Sequence, residues 1–96
     1  MKKIRIYQTE LNCDWAFMNY EFAQKKNFNM KWYNEVANFD DEDVSDDYTI
    51  LNRLWNIGND GTLQQTFKMR SISVSDILEI DGRRYYVDSF GFKEVA

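Results

Sequence analysis

The amino-acid sequence predicts a small α+β domain in which two or so helices pack on a mainly antiparallel sheet. Two observations carry this prediction. An Asp81-Gly82 pair joins two segments rich in β-branched and aromatic residues, which indicates a β-hairpin. Apolar residues recur at helical spacing over residues 46–57, and the elements lack the regular strand–helix alternation of a parallel sheet. The chain of 96 residues has the length of a single domain spanning residues 1–96.

The first two elements lie in the N-terminal quarter of the chain. Residues 3–8 place two isoleucines on one face between charged neighbours, which predicts a half-buried strand. Asp14 is a suitable N-cap for an amphipathic helix that extends to about residue 25. Large apolar residues recur there at helical spacing: Trp15, Met18 and Phe22.

The middle of the chain contains one clear element and two ambiguous ones. Residues 30–39 are rich in aromatic and β-branched residues, which favours a strand and leaves a helix as the alternative. Residues 46–57 predict a helix with Ser45 as its N-cap and Gly58 as the residue that ends it. Residues 62–70 are compatible with a loop, a short helix or an edge strand. The apolar stripe of the clear helix consists of Ile50, Leu51, Leu54, Trp55 and Ile57.

The predicted hairpin has a self-consistent register. A two-residue turn at Asp81-Gly82 sets Glu79 opposite Arg84, which is an opposite-charge pair. The same turn sets Leu78 opposite Tyr85, which is an aliphatic–aromatic pair. Both pairs favour this register over a shifted one.

A Phe-Gly-Phe segment follows the hairpin. Gly91 between Phe90 and Phe92 indicates a tight turn or bulge. We expect the two aromatic side chains to be buried, whereas an exposed pair would form an anchor for a partner.

Composition restricts the chemistry available to the chain. Seven Phe, six Tyr and three Trp provide for a core without a disulfide, and the one cysteine, Cys13, is interpreted as a small filler near a helix start. Histidine is absent, which removes the commonest general base and the commonest zinc ligand. We therefore expect a non-enzymatic protein with no metal site and no cofactor.

No segment approaches the ~20 consecutive apolar residues of a membrane span, so a cytoplasmic location is expected.

Acidic residues are concentrated in one segment, residues 40–47. Its six acids are Asp40, Asp41, Glu42, Asp43, Asp46 and Asp47. The net charge is 12 − 16 = −4, and without these acids it is 12 − 10 = +2, so the acidity is a local patch. The spacing differs from that of an EF-hand. The segment is either a solvated loop matched to a helix dipole or an electrostatic surface for a nucleic-acid-handling partner.

Serine and aspartate residues cluster around the predicted hairpin: Ser71, Ser73, Ser75, Asp76, Asp88 and Ser89. A serine nucleophile requires a base, and without histidine only a lysine or a carboxylate is available. The favoured interpretation is that these short side chains hydrogen-bond local backbone and cap the hairpin.

The C-terminal third carries a recognisable motif. Residues 71–80 read Ser-Ile-Ser-Val-Ser-Asp-Ile-Leu-Glu-Ile, and residues 85–95 read Tyr-Tyr-Val-Asp-Ser-Phe-Gly-Phe-Lys-Glu-Val. These segments resemble the YodL-like domain family, and the stretches 4–8 and 15–22 resemble its N-terminal half. The resemblance marks the following residues, which we interpret as structural: Ser73, Ser75, Asp76, Asp81, Gly82, Asp88, Phe90, Gly91 and Phe92.

The resemblance implies a function in binding. The family is common on bacterial plasmids, transposons and phages, and no enzymatic activity is associated with it. We therefore expect a monomer or homodimer that stoichiometrically inhibits a host defence protein, such as a CRISPR nuclease or a restriction enzyme. The alternative, suggested by one family member, is a modulator of the actin-like cell-shape cytoskeleton. Direct binding to nucleic acid is not expected, since the net charge is negative. A membrane partner is not expected either, since no apolar segment is long enough to span a bilayer.

Overall fold

A computed structural model of the chain describes residues 1–95. The strands are β1 (Lys2–Thr9), β2 (Tyr33–Asp41), β3 (Ile77–Ile80), β4 (Arg83–Val87) and β5 (Phe92–Val95). They form a five-stranded antiparallel sheet in the order β2-β1-β3-β4-β5. The helices are α1 (Tyr20–Lys25) and α2 (Asp47–Asn59). The predicted α+β class, with an antiparallel sheet, two helices and a C-terminal hairpin, is confirmed.

Hydrophobic clusters cover both faces of the sheet. On one face α2 packs over the central strands, and the buried residues include Ile4, Ile6, Leu78, Ile80, Ile50, Leu51 and Leu54. On the other face α1 and the chain around it pack over the sheet, and the buried residues include Cys13, Trp15, Ala23, Tyr33, Ile77 and Tyr86. Because side chains alternate along a strand, Ile77 and Leu78 of β3 belong to different clusters. The sheet is therefore the middle layer between the two helices.

Strand β1 confirms the first predicted strand, and its Ile4 and Ile6 are fully buried. It pairs with β2 on one side and with β3 on the other. The register with β2 shifts between Ile6 and Tyr7, where Val36 is the extra residue. Such a bulge increases the local twist of an edge strand.

The hairpin register between β3 and β4 is confirmed, including Glu79 opposite Arg84. Both turn residues have positive φ, 49° at Asp81 and 84° at Gly82, as a type I′ turn requires. Oδ1 of Asp81 accepts a 2.7 Å hydrogen bond from the backbone N–H of Lys3. This bond attaches the turn to β1.

The first predicted helix begins later than expected. α1 starts at Tyr20, and Asn19 rather than Asp14 is its N-cap. The helix does not extend back through Phe17, because the φ of this residue is 66°. The backbone N–H of Phe17 donates a 2.9 Å hydrogen bond to Oγ of Ser75. Residues 15–18 are therefore not helical, although their apolar side chains recur at helical spacing, and Phe17 is bonded instead to a distant part of the chain.

Helix α2 is confirmed, but both of its predicted ends are wrong. Oδ1 of Asp46, and not Ser45, caps the helix by accepting a 2.9 Å hydrogen bond from the backbone N–H of Thr49. The helix continues beyond Gly58, which is buried against Ile72. A Cβ atom at Gly58 would lie 2.2 Å from Cδ1 of Ile72. The glycine is therefore needed for close packing rather than for a left-handed conformation.

The two ambiguous segments have different outcomes. Residues 30–39 fold mainly as the favoured strand, since β2 follows a short 3-10 turn at Met30–Trp32. Residues 62–70 contain a 3-10 turn at Leu63–Gln65 and are otherwise irregular.

The Phe-Gly-Phe segment turns the chain from β4 into β5. Because β5 has only four residues, its sequence pattern is too short to predict a strand. Gly91 has a φ of 73°, and its carbonyl accepts a 3.0 Å hydrogen bond from the backbone N–H of Asp88. Phe92 is half-buried against the cluster under α2. Phe90 is 97% exposed, so the expectation that it is buried is wrong. It lies at the tip of the turn, beyond the edge of the core.

Candidate functional site

The acidic segment (residues 40–47) lies where β2 leads into α2, and Asp40 and Asp41 belong to the strand. The side chain of Arg53 on α2 reaches back to this segment. Its guanidinium contacts Asp41, and its Nε lies 3.2 Å from Oδ2 of Asp43. Two of the six acids are therefore engaged by a base of the same chain.

Asp47, the first residue of α2, joins the helix to the hairpin. Nε and Nη2 of Arg83 lie 2.6 and 2.9 Å from its two carboxylate oxygens. The hydroxyl of Tyr85 donates to the same carboxylate, and Nζ of Lys2 lies 3.8 Å away. The hydrogen bonds from Arg83 are the main cause that lowers the pKa of Asp47 to about 2. This side chain therefore acts as a cross-link between α2 and β4.

Three acids of the segment remain exposed to solvent. Asp40 is one of them, and its carboxylate lies 3.7 Å from Nζ of Lys3. Glu42 and Asp46 are also exposed, and neither forms an ion pair with another residue in the described part of the chain. The surface available for an electrostatic partner is therefore smaller than the count of six acids suggests.

Asp76, the central member of the serine and aspartate cluster, is 1% exposed. Its Oδ2 accepts 3.0 Å hydrogen bonds from Nε2 of Gln8 and from the backbone N–H of Ser73. Burial raises the pKa of Asp76 to about 6, although both hydrogen bonds oppose this rise. The carboxyl group thus attaches β1 to the segment that precedes β3.

Other members of this cluster also bond to backbone. The carbonyl of Ser75 accepts a 2.6 Å hydrogen bond from the hydroxyl of Tyr33, and its Oγ accepts from the N–H of Phe17. Oδ1 of Asp88 accepts a 3.2 Å hydrogen bond from the N–H of Tyr20. The remaining serines are half-buried or exposed: Ser71, Ser73 and Ser89. Ser75 and the half-buried Asp88 therefore hold the loop before α1 and the first residue of α1 against the sheet.

A groove of about 260 Å³ lies between α2 and the β4–β5 turn, and it was not among the predicted sites. Its lining includes Tyr48 and Trp55 of α2, Phe92 of β5, and Asp88. The rings of Tyr48 and Phe92 meet edge to face with centroids 6.2 Å apart. Tyr48 is 63% exposed and Trp55 is 36% exposed, so Trp55 does not belong to the buried stripe expected for this helix. We call this feature the aromatic groove.

The sequence contains a signal for the aromatic groove. Tyr48, Asn52 and Trp55 are spaced by four and three residues, so they share one face of α2. This face is separate from the stripe that packs on the sheet. Phe90, which lies between two residues that line the groove, adds a fully exposed aromatic ring at the turn. A second stripe with two aromatic residues distinguishes α2 from a helix whose outer face is only solvated.

A wider depression of about 770 Å³ lies beside the end of β1 and the edge strand β2. Its polar lining includes Gln8, Thr9, Glu10, Asn34, Lys68 and Arg70. Nη2 of Arg70 donates a 2.9 Å hydrogen bond to the carbonyl of Thr9, and its guanidinium lies over the ring of Phe17. Because charges of both signs line it and Arg70 is engaged internally, we assign no ligand to this depression.

The fold and its surface define a small α+β domain that presents aromatic and acidic side chains on the α2 side of the sheet. The model of the YodL-like domain matches residues 3–96, so the chain belongs to this family. Among the curated proteins and among the solved structures, no match to the chain is found. Within residues 1–95, no helix combines the length and the apolar character that crossing a bilayer requires. The same residues contain no group of three or more His, Cys, Asp or Glu placed to hold a metal ion.

Proposed function

We propose that this YodL-like protein is a cytoplasmic, non-enzymatic product of a bacterial mobile element that binds a host protein and inhibits it stoichiometrically. The observation that carries the proposal is the exposure of Tyr48 and Trp55 in one groove, with Phe90 exposed on the turn that borders it. Exposed aromatic residues that cluster beside polar ones are typical anchors of protein interfaces. Asp76 and Ser75, by contrast, are buried, and their hydrogen bonds attach β1, β2 and the loop before α1 to the segment that precedes β3.

The proposed target class follows from charge together with family context. Asp46 is the N-cap of α2, the helix that carries Tyr48 and Trp55, and Asp40 and Glu42 lie at the end of β2 that leads into this helix. A nuclease carries a basic channel for nucleic acid, which such acids complement. Host defence nucleases, such as CRISPR effectors and restriction enzymes, are therefore the first targets to test. The actin-like cytoskeleton is the alternative, and it rests on the family resemblance alone.

The test is a binding assay between the purified chain and purified candidates of both classes. We expect a complex with a nuclease that weakens as the salt concentration rises, because exposed charges are screened. A triple variant, Asp40→Asn, Glu42→Gln and Asp46→Asn, should weaken the complex, and Asn at position 46 keeps an oxygen that can cap α2. Asp14→Asn with Glu21→Gln is the control for the pair Asp40→Asn with Glu42→Gln, since it removes the same two charges from exposed positions in the chain that covers the opposite face.

Each other result has a defined meaning. Loss of binding in the double variant Tyr48→Ser and Trp55→Ser, with the fold retained, is expected if the aromatic groove is part of the interface. A complex with the cytoskeletal protein alone would replace the nuclease as the target. Absence of a complex with both classes would contradict the proposed function.

A further inference from the structure

We propose that the free edge of β2 binds an extended segment of the partner protein as an additional strand, with lysine or arginine side chains of that segment facing Glu35 and Asp40. The inference rests on the proposed function, because it names how the partner is held. Two observations carry it. Backbone groups along this edge are unpaired, and rows of alternating charge across the sheet end there in an acid.

The outer side of β2 has no neighbour. β2 is the first strand in the sheet order, so within residues 1–95 no other strand pairs with it on that side. It has nine residues, whereas strands of about 5–6 residues are the most common. A free edge presents a row of N–H and C=O groups that can bond to another chain. Addition of a strand to such an edge is one of the recurring ways in which proteins bind extended peptides.

The pairing of β2 with β1 shows which backbone groups are free. Asp40 lies opposite Lys3, and the carbonyl of Lys3 bonds on the β3 side of β1, to the N–H of Asp81. Because the bonding direction alternates along an antiparallel strand, the N–H and C=O groups of Asp40 point away from β1. Those of Asn38, two residues earlier, do the same. An added strand would therefore bond to Asn38 and Asp40, whereas the N–H of Phe39 points towards β1.

A row of charged side chains crosses the sheet on the face opposite α2, and its signs alternate. Glu79 on β3 lies opposite both Arg84 on β4 and Arg5 on β1, with N–O distances of 3.0 and 3.6 Å. Nη1 of Arg5 in turn lies 3.8 Å from Oε1 of Glu35 on β2. The row thus ends with an acid at the free edge, and the residue that would continue the alternation is a base.

Asp40 ends a second, shorter row, since its carboxylate lies 3.7 Å from Nζ of Lys3. The contacts of Glu35 and Asp40 with bases of β1 are longer than the roughly 2.7–2.9 Å of a charge-assisted hydrogen bond. The two side chains are also 39% and 57% exposed. Both carboxylates are therefore accessible to a second base on the outer side, and opposite charges that face each other across strands are stabilising.

A second copy of the chain is a poorer occupant of this edge than a basic segment. β2 contains three acids, Glu35, Asp40 and Asp41, and neither a lysine nor an arginine. Two copies of β2 side by side would bring two such sets of acids together, and like charges opposite each other are destabilising. The acids therefore protect the edge against self-pairing and leave it open to a strand of opposite charge.

The experiment titrates the ¹⁵N-labelled 96-residue chain with a short capped peptide of alternating valine and lysine. We expect saturable shifts along β2 in the ¹H–¹⁵N spectrum. Exchange with solvent should slow at the N–H groups of Asn38 and Asp40 and change little at that of Phe39. The same peptide with glutamate in place of lysine should bind more weakly. A lysine peptide with proline at its centre should do so too, because proline cannot donate to the ladder.

A charge variant tests the two acids. Glu35→Gln with Asp40→Asn should weaken binding of the lysine peptide by roughly twofold to thirtyfold, as expected for two exposed ion pairs. The matched control is Asp14→Asn with Glu21→Gln, which removes the same two charges from exposed positions outside β2 and should leave binding unchanged. The spectrum of each variant also reports whether the fold is retained.

The contrary results concern the peptide first. Equal affinity for the lysine and glutamate peptides, or affinity for lysine that is unchanged in the charge variant, would overturn the inference. So would shifts without slower exchange at Asn38 and Asp40, because no strand would then have been added. Slower exchange at these residues in the concentrated chain without peptide would show a second copy on the edge and overturn the choice of occupant.

The host partner separates this inference from the proposed function. A partner that binds the charge variant as tightly as the wild type would overturn the edge site and leave the proposed function in place. Strand addition by the peptide in a chain that binds no host protein would support the edge site and contradict the proposed function alone.

Discussion

Nε2 of Gln8 donates a 3.0 Å hydrogen bond to Oδ2 of Asp76, and both side chains are buried. The same nitrogen lies 3.0 Å from the carbonyl of Arg70, and Oε1 of Gln8 accepts a 3.1 Å hydrogen bond from the N–H of Arg70. One amide side chain of β1 therefore fixes two points of the segment that leads into β3. A buried donor or acceptor that loses its partner costs about 1–3 kcal/mol, so an apolar replacement of either side chain alone should destabilise the fold.

We predict that stability falls as the pH rises from about 4 to about 6. Burial raises the pKa of Asp76 from its ordinary 3.8 to about 6, so in this range the folded chain keeps a proton that the unfolded chain has released. The loss should be about 3 kcal/mol, at about 1.4 kcal/mol for each pH unit. Urea unfolding at pH 4, 5, 6 and 7 measures it. Asp76→Asn, which retains an acceptor oxygen, should make the profile nearly flat; an unchanged slope would contradict the assignment.

At lower pH the dependence should reverse its sign. The hydrogen bonds from Arg83 lower the pKa of Asp47 from 3.8 to about 2, so stability from this pair is present above pH 4 and is lost as the pH falls towards 2. In Asp47→Asn, unfolding midpoints should decline less between pH 4 and pH 2 than in the wild type. The decline should be reduced rather than abolished, since hydrogen bonds from Thr49 also lower the pKa of Asp46. An identical decline in the variant would show that the cross-link does not contribute.

Replacement of the buried glycine of α2 should be destabilising. Alanine normally favours a helix over glycine by about 1 kcal/mol. In Gly58→Ala, however, the new Cβ would lie 2.2 Å from Cδ1 and 2.6 Å from Cγ1 of Ile72. We expect a net loss of about 1–3 kcal/mol in the free energy of unfolding. Asn56→Ala, at an exposed position of the same helix, is the control and should be neutral or stabilising.

A double variant separates this clash from a general effect on the helix. Ile72→Ala leaves only a Cβ atom, which lies 3.4 Å from the added group. Gly58→Ala should therefore cost less in the Ile72→Ala background than in the wild type. Equal costs in the two backgrounds would rule out the contact with Ile72 as the cause.

The hydroxyl of Tyr33 should contribute to stability through two buried partners. It donates a 2.6 Å hydrogen bond to the carbonyl of Ser75 and accepts a 3.0 Å bond from Nε1 of Trp15. Tyr33→Phe leaves both groups unpaired, so thermal or urea unfolding should show that the free energy of unfolding falls by about 1–3 kcal/mol. Tyr48→Phe removes an exposed hydroxyl and should change stability by less than about 0.5 kcal/mol. Similar losses in the two variants would refute the structural role of Tyr33.

The hairpin was predictable because its determinants are local. The turn residues and the pairs beside them lie within a few positions of one another, and turn chemistry and cross-strand pairing both specify the same register. The start of α1 was not predictable for the opposite reason. The cap at Asn19 is local, but Phe17, whose φ of 66° excludes a helix that begins at Asp14, is bonded to Ser75, 58 positions away.

The candidate site shows the same division between local and long-range effects. Sequence located the acidic segment, but it could not reveal that Arg83, 36 positions away, binds Asp47. The aromatic groove joins α2 to the β4–β5 turn, so no single segment displays it. Tyr48 and Trp55 have the spacing of residues on one helix face. This second face was not recognised, because Trp55 also fits the apolar stripe of α2.

The most direct test of a stoichiometric inhibitor is a titration of the activity of its host target with the purified chain. We predict that activity falls linearly to an end point at one chain per target, and that longer incubation does not move the end point. The double variant Tyr48→Ser and Trp55→Ser should require far higher concentrations. Progressive loss of activity at a small fraction of the target concentration would show turnover and contradict a binding mechanism.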